Sequence, residues 1–285
     1  MEIKRICVVG AGTMGHGIAQ VAATSGYRVV LQDTEERFVQ RGIEAIQTSL
    51  ARVAKAGRIP QAEVPAILGR LSTATDLEAA AREADLVIEA VTELMNVKQD
   101  VFRRLDAACR PEVILASNTS QLSITAIASV TKRPAKVVGM HWFNPAQVMR
   151  LVEIVRGIET SDETIKVIED ISAKFGKETV VCRDSQGFIT SRAIAAFMNE
   201  CTRILEEGIA TKEDIDKAIK LGFNHPMGPF ELADLTGLDV NVHASSALCE
   251  VLGERFRPPQ LLRQMVAAGR FGRKTGKGYY DYTKK

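Results

Sequence analysis

The 285-residue chain predicts an α/β fold, a mostly parallel sheet domain followed by an all-helical C-terminal domain, on three observations. Apolar runs of strand length alternate with amphipathic stretches through roughly the first 180 residues, the pattern of parallel strands joined by crossover helices. The earliest run, Arg5–Val9, ends in a glycine cluster that opens a helical segment. After Asp184 the strand pattern stops and helical periodicity, broken by prolines, replaces it. The expected division is 1–184 and 185–285, with the boundary near residues 183–188.

Taken in order, Arg5–Val9 reads as the first strand, Gly15–Ser25 as a helix and Tyr27–Leu31 as the second strand. From Glu35 to Ala56, the apolar residues Phe38, Ile43, Ile46, Leu50 and Val53 recur at helical spacing, which predicts a long helix with a charged outer face. Pro60 and Pro65 interrupt the chain beyond that helix. Leu86–Val91, Val113–Ala116, Val137–Met140 and Leu151–Val155 have strand length, Glu163–Phe175 reads as a helix and Glu178–Cys182 as the last strand. In the second half, 188–207 and 212–221 are helical, and Pro226, Pro229, Pro258 and Pro259 divide the rest into helices and turns. The glycine- and aromatic-rich end, Gly269 to Tyr282, reads as ordered coil.

Composition narrows the function classes. Hydrophobic residues make up 46% and charged ones 25%, ordinary for two globular cores. A net charge of +2 without a long basic block argues against nucleic acid as a partner. No apolar run approaches a membrane span, and the opening MEIKRICVVGAG runs straight into a strand, so neither a membrane anchor nor a signal peptide is expected. Cys7, Cys109, Cys182, Cys201 and Cys249 are odd in number and lack CxxC spacing, which fits reduced thiols and a cytoplasmic location. Four histidines without paired ligand spacing predict no bound metal.

The segment Gly10-Ala11-Gly12-Thr13-Met14-Gly15 matches GxGxxG, directly after a strand and at the start of a helix. In that context Gly10 permits the tight turn, Gly12 lets backbone N–H groups approach a pyrophosphate, and Gly15 lets the helix pack on the strand. The phosphate would sit at the positive end of the helix dipole. Asp33, at the end of the second strand, can accept both ribose hydroxyls and would repel a 2′-phosphate, so NAD is favoured over NADP. The competing reading is a Rossmann-type glycine turn that binds no dinucleotide; strand, glycines, helix and acid together favour the cofactor.

An alcohol-oxidising nicotinamide enzyme needs a base for the hydroxyl proton. His141 lies at the end of the expected strand Val137–Met140, and the carboxyl ends of strands are where open parallel sheets hold ligands. Alone it would read as a structural histidine. Glu153, however, falls inside the apolar run Leu151–Val155, where a carboxylate is costly unless paired, and a histidine it orients is the natural partner. Ser117-Asn118-Thr119-Ser120 follows another strand and would edge the same crevice, or else cap the next helix.

With these residues the chain resembles the 3-hydroxyacyl-CoA dehydrogenases, especially the short-chain 3-hydroxybutyryl-CoA type. The likeness runs along essentially the whole chain: the glycine turn, Asp85-Leu86-Val87-Ile88-Glu89-Ala90-Val91, the Ser-Asn-Thr-Ser turn, His141-Trp142-Phe143-Asn144-Pro145 and Leu151-Val152-Glu153. It continues through Asn224-His225-Pro226-Met227-Gly228-Pro229 and the stretch from Gly272 to Tyr282. The resemblance implies NAD-dependent interconversion of a short-chain (S)-3-hydroxyacyl-CoA and its 3-oxoacyl-CoA. His141 would be the acid/base, Glu153 its orienting carboxylate and Ser120 a hydrogen-bond partner of the substrate oxygen. Asn118 and Asn144 would hold the nicotinamide side, with Glu93 and Lys98 near that end of the cofactor. Ser49, Lys55 and Arg58 would contact CoA phosphates, although exposed lysines on a helix are usually only solvated. The helical domain would close over the acyl chain and pair two subunits as a homodimer.

One position departs from the pattern. Where the family commonly has Pro-Gly-Phe-x-x-Asn-Arg, this chain has Gln186-Gly187-Phe188-Ile189-Thr190-Ser191-Arg192. Ser191 replaces an asparagine that helps hold the substrate oxygen, and a serine reaches less far. Two other functions compete: a dehydrogenase of a free hydroxy acid or sugar acid with the same base and cofactor, and a catalytically weak NAD-binding structural protein.

Overall fold

The computed structural model describes residues 2–283 and separates the chain after Ser185 into two units. The first opens with β1 (Arg5–Val9), α1 (Thr13–Thr24), β2 (Arg28–Gln32) and α2 (Glu36–Lys55). It continues with α3 (Val64–Leu68), β3 (Leu71–Ala74), α4 (Leu77–Arg82), β4 (Leu86–Glu89), α5 (Met95–Ala108) and β5 (Ile114–Ser117). A short α6 (Ile124–Ala128), β6 (Val137–Trp142), β7 (Leu151–Arg156), α7 (Asp162–Lys174) and β8 (Glu178–Arg183) complete it. The strands form one sheet in the order β3-β2-β1-β4-β5-β6-β7-β8, so the chain reverses its direction of travel between β1 and β4.

Central strands such as β4 and β5 are buried at every position, which is why they read as continuous apolar runs rather than alternating ones. Ile18 of α1, Ile46 and Leu50 of α2, and Ile165 and Ile168 of α7 bury their apolar faces against the sheet. The deepest face of α2 is carried by Val39, Gly42, Ile46, Ser49 and Leu50; Phe38, expected in the core from its spacing, lies half-buried beneath the Arg37 guanidinium, 4.8 Å away.

The sheet is mostly parallel, as expected, and three of its details go beyond the sequence reading. The sheet is parallel except for one pair, β6 and β7, which run antiparallel. The connection 143–150 is too short for a crossover helix, so β7 must return beside β6. For the same reason β6 does not stop at Met140: it runs through Trp142, and His141 sits within the strand. The edge strand β3, Leu-Ser-Thr-Ala and mostly solvent-facing, has no apolar run to betray it.

The second unit is helical: α8 (Thr190–Glu206), α9 (Lys212–Gly222), α10 (Pro229–Thr236), α11 (Leu238–Leu252) and α12 (Gln260–Ala267). In α8 the buried residues Ala195, Met198, Asn199, Cys201 and Thr202 follow helical spacing. Met198 and Cys201 pack with Ile215, Phe230, Leu238, Leu262 and Tyr279 into one core. From Gly269 to Thr283 the described residues form coil with one 3₁₀ turn, held by bridges at Gly272, Lys277 and Asp281.

Candidate active site

The glycine turn links β1 to α1. Gly10 has φ +97°, and a Cβ there would lie 2.6 Å from the Ala90 carbonyl oxygen; one on Gly15 would lie 1.7 Å from that of Gly10. Sterics within the protein therefore demand both glycines. Gly12 differs, because a Cβ there would meet no protein atom within 4 Å. What keeps it bare is not packing, and a phosphate drawn against the amides of Thr13 and Met14 at the start of α1 fits that cradle. Asp33, just beyond β2, accepts from Ala11 N–H at 2.7 Å through Oδ2 and from Thr34 N–H at 2.7 Å through Oδ1. Its carboxylate thus braces the turn while keeping lone pairs for ribose hydroxyls.

At the carboxyl ends of β4 and β5 lies a charged cluster. Glu89 is fully buried and accepts from Val91 N–H (2.7 Å), Lys98 Nζ (2.7 Å) and Ser117 Oγ (2.6 Å). Lys98, equally buried on α5, also pairs with Glu93 at 3.3 Å. Glu93 in turn accepts from Thr119 Oγ1 at 2.6 Å and Ser120 N–H at 2.8 Å, which fixes the turn after β5. Asn118 there accepts from Trp142 N–H at 2.8 Å through its side-chain oxygen, leaving its amide nitrogen as donor. The cap of α6 is Ser123, whose hydroxyl accepts from Ala126 N–H at 3.1 Å. Ser120 is thereby released from the capping role that competed for it, and its exposed hydroxyl makes no hydrogen bond among the described residues.

His141 and Glu153 stand directly opposite each other on β6 and β7. Cross-strand partners share a face of the sheet, and His141 Nδ1 lies 2.7 Å from Glu153 Oε2. Glu153 is fully buried and His141 is 5% exposed, with the Phe143 ring 4.6 Å from the imidazole. An acceptor carboxylate on Nδ1 selects the tautomer with its proton there, so Nε2 carries the lone pair. Asn144 lies in the exposed loop just after β6.

That loop also walls a groove of about 430 Å³ with Thr13 and His16 of α1 and Arg41, Ser49 and Arg52 of α2. Ser49 lines it, but Lys55 and Arg58 do not; Lys55 is the exposed last residue of α2, and the exposed Arg58 follows in the turn beyond it. Arg41 and Arg52 bring two guanidinium groups to the groove against the single carboxylate of Glu44. Among the described residues no cluster of His, Cys, Asp or Glu could hold a metal ion.

A family model described as 3-hydroxyacyl-CoA dehydrogenase, NAD binding domain, matches residues 5–185, and one described as the C-terminal domain of the same enzyme matches residues 187–282. The chain belongs to the 3-hydroxyacyl-CoA dehydrogenase family. It is 46% identical to a probable 3-hydroxybutyryl-CoA dehydrogenase of Bacillus subtilis, over 100% of this chain and 99% of that one. With the 3-hydroxybutyryl-CoA dehydrogenase of Clostridioides difficile it shares 42% identity, over 98% of this chain and 100% of the relative. The crystal structure of (S)-3-hydroxybutyryl-CoA dehydrogenase from Ralstonia eutropha superposes with a TM-score of 0.96 at 42% identity, covering 99% of this chain and 100% of that one.

In this dehydrogenase several residues at the site carry no assignment from motif alone. Glu89 was visible only as an acid inside a strand, the same signal that drew attention to Glu153. Arg41 and Arg52 share one face of α2 with Ser49, which helical spacing could have shown. Lys177, before β8, donates to the carbonyls of Ala146 (2.6 Å) and Met149 (2.7 Å), pinning the loop that carries Asn144. Burial pulls its ammonium below the ordinary lysine pKa. Nothing in the sequence marks a lysine between helix and strand as buried. Ser191 is the second residue of α8, half-buried in the second unit.

Proposed function

We propose that the chain interconverts a short-chain (S)-3-hydroxyacyl-CoA and the corresponding 3-oxoacyl-CoA, with NAD as the redox partner. The observation that carries this reading is the His141–Glu153 pair, a base oriented by a buried carboxylate at 2.7 Å on the sheet that bears the dinucleotide turn.

NAD, when bound, supplies the acceptor for the C3 hydride. The protein's own groups do the rest. His141 Nε2 takes the proton of the 3-hydroxyl and returns it in the reducing direction. Glu153 remains a carboxylate and stabilises the imidazolium that forms. The Ser120 hydroxyl, held in place by the Glu93 contact to its N–H, donates to the substrate oxygen. Gly10, Gly12 and Gly15 shape the phosphate turn with Thr13 and Met14, and Asp33 accepts the ribose hydroxyls and disfavours a 2′-phosphate. Asn118 and Asn144 hold the nicotinamide side. Ser49, Arg41 and Arg52 offer contacts to CoA phosphates, with Lys55 at the end of α2 and Arg58 in the turn beyond it adding longer-range attraction. Ser191 stands where the family commonly carries an asparagine and offers the substrate one hydrogen bond, directly or through a water.

The same reading makes the protein a cytoplasmic homodimer. All five cysteines are free thiols, and no helix of the described residues is long and apolar enough to cross a membrane. Ile209, Leu221, Phe223, Val240 and Val251 of the second unit are exposed apolar side chains of the kind that a second copy would bury. Light scattering should return twice the chain mass; a monomer at micromolar concentration would remove the dimer.

The deciding assay is NADH oxidation with acetoacetyl-CoA at neutral pH, run beside NADPH and beside free acetoacetate. Turnover with NADH and the thioester alone is expected. Comparable turnover of the free acid would instead assign a hydroxy-acid substrate, and silence with every substrate despite NADH binding would leave a structural role.

A further inference from the structure

A nicotinamide ring is cationic when oxidised and neutral when reduced, so a fixed charge beside it binds the two forms unequally. The cluster at the ends of β4 and β5 carries such a charge. Two carboxylates, Glu89 and Glu93, share one cation, Lys98, at 2.7 and 3.3 Å. Their remaining contacts come from neutral donors: Val91 N–H and Ser117 Oγ to Glu89, Thr119 Oγ1 and Ser120 N–H to Glu93. Neutral donors satisfy a carboxylate without cancelling its charge, which leaves the cluster one negative charge in excess. Lys98 and Glu89 are sealed, at 1% and 0% exposure, whereas the Glu93 side chain is 32% exposed. The excess charge therefore reaches the surface through Glu93.

Sheet order places that charge. The phosphate turn follows β1 and the base His141 lies on β6, with β4 and β5 between them. Hydride transfer to or from a carbon held by His141 requires the ring between those two points, over the carboxyl ends of β4 and β5. Glu93 follows β4, and Asn118 to Ser120 follow β5.

We propose that Glu93 determines cofactor specificity by redox state, weighting the site toward NAD⁺ over NADH with the unneutralised charge of the Glu89–Lys98–Glu93 cluster. The inference rests on the NAD-dependent reading above. It also gives the buried pair a purpose: Glu89 consumes the charge of Lys98, so that Lys98 holds Glu93 in place without neutralising it.

Calorimetric titration with NAD⁺ and NADH, without substrate, tests this on wild type, Glu93→Gln and Glu93→Asp. Glu93→Gln keeps the shape and an acceptor oxygen but removes the charge. Its Kd for NAD⁺ should rise about tenfold while that for NADH moves less than about twofold, the scale of one charge at a partly solvated site. By linkage, the bound redox equilibrium shifts toward NADH by the same factor. Glu93→Asp, still charged, should keep the wild-type ratio even if both affinities weaken. Equal weakening of both forms in Glu93→Gln, or an Asp variant whose ratio follows the Gln variant, would make Glu93 a strut for the Ser120 turn and overturn the proposal. Wild type that binds neither dinucleotide would instead overturn the NAD-dependent reading, and the inference with it.

Discussion

In the second unit Asp216 accepts from Phe230 N–H, Glu231 N–H and the Tyr280 hydroxyl, and Asp234 accepts from Tyr279 N–H, Tyr280 N–H and the Tyr282 hydroxyl. In the first unit Glu153 meets an imidazole, and Glu89 meets an ammonium that leads on to a half-exposed carboxylate. Both units bury acids, but they complete them differently. Around Asp216 and Asp234 the partners are backbone amides and phenols, groups that titrate far from neutrality, and the result is a staple joining α9, α10 and the C-terminal coil. Around Glu153 and Glu89 the partners are themselves ionisable, so a proton or a charge can pass outward to a ligand. A buried carboxylate is therefore not a site by itself; the chemistry of its donors decides.

The sharpest way to break this contrast is His141→Gln, which keeps a hydrogen-bonding side chain opposite Glu153 but removes the base. Turnover of acetoacetyl-CoA should fall by about 10²–10⁴-fold with the Kd for NADH nearly unchanged, since a positioned acid/base group contributes on that scale. A glutamine variant that remained active would sink the assignment of His141.

Next in size, Asp216→Ala should act on stability instead. It strands two amides and a phenol in the second-unit interior and should cost about 3 kcal/mol in denaturant unfolding, while NADH affinity stays at the wild-type value. Loss of NADH binding at a temperature where the variant is folded would erase the distinction between staple and site.

Smaller still is Ser191→Asn, which restores the residue that the family commonly carries at this position and is expected to raise kcat several-fold with acetoacetyl-CoA. Steady-state kinetics would show this directly, and an unchanged or lower kcat would remove Ser191 from the site.

The last prediction concerns pH. Burial pushes the Asp85 carboxyl up, but hydrogen bonds from Lys4 and Arg5 N–H and then from Arg110 outweigh it, holding the group below its ordinary value of 3.8. A depressed carboxyl lends stability that is present above its unfolded pKa and lost as the pH falls through the folded one. Asp85→Asn should thus cost about 1 kcal/mol at pH 7 and little near pH 2. Asp216 has the opposite sign: burial, only partly offset by the Tyr280 and Phe230 donors, raises its pKa, so mild acidification adds stability there. Unfolding midpoints of the Asp85 variant that ran parallel to wild type at every pH would contradict the sign.

Much of the architecture was legible because its signals are short-range. The apolar runs at β1, β4 and β5, the glycine turn after β1 and the end of strand pattern after Asp184 each lie within a few consecutive residues. The misses have physical causes. Strand β3 is an edge, and an edge facing water has no apolar run. Phe38 lost its core position to Val39 because periodicity locates a stripe only to within a residue of its true axis. The Ser117–Ser120 turn could have capped the next helix, and only the structure showed that Ser123 takes that role. Arg41 and Arg52 were not singled out, although α2 places them on the groove with Ser49, because a charged helix face reads the same in sequence whether it lines a groove or meets water.

By itself the sequence determined the α/β class, the helical second half and a dinucleotide turn with its acid at Asp33, because those follow from local sterics and periodicity. It could mark His141 and Glu153 as an unusual base and an unusual buried acid. Only the tertiary structure decided that they face each other, since that depends on β7 returning antiparallel beside β6. Nor could any local pattern show that Lys98 is buried between two carboxylates. That arrangement exists because β4, β5 and α5, remote in sequence, bring Glu89, Ser117 and Lys98 together where water cannot reach them.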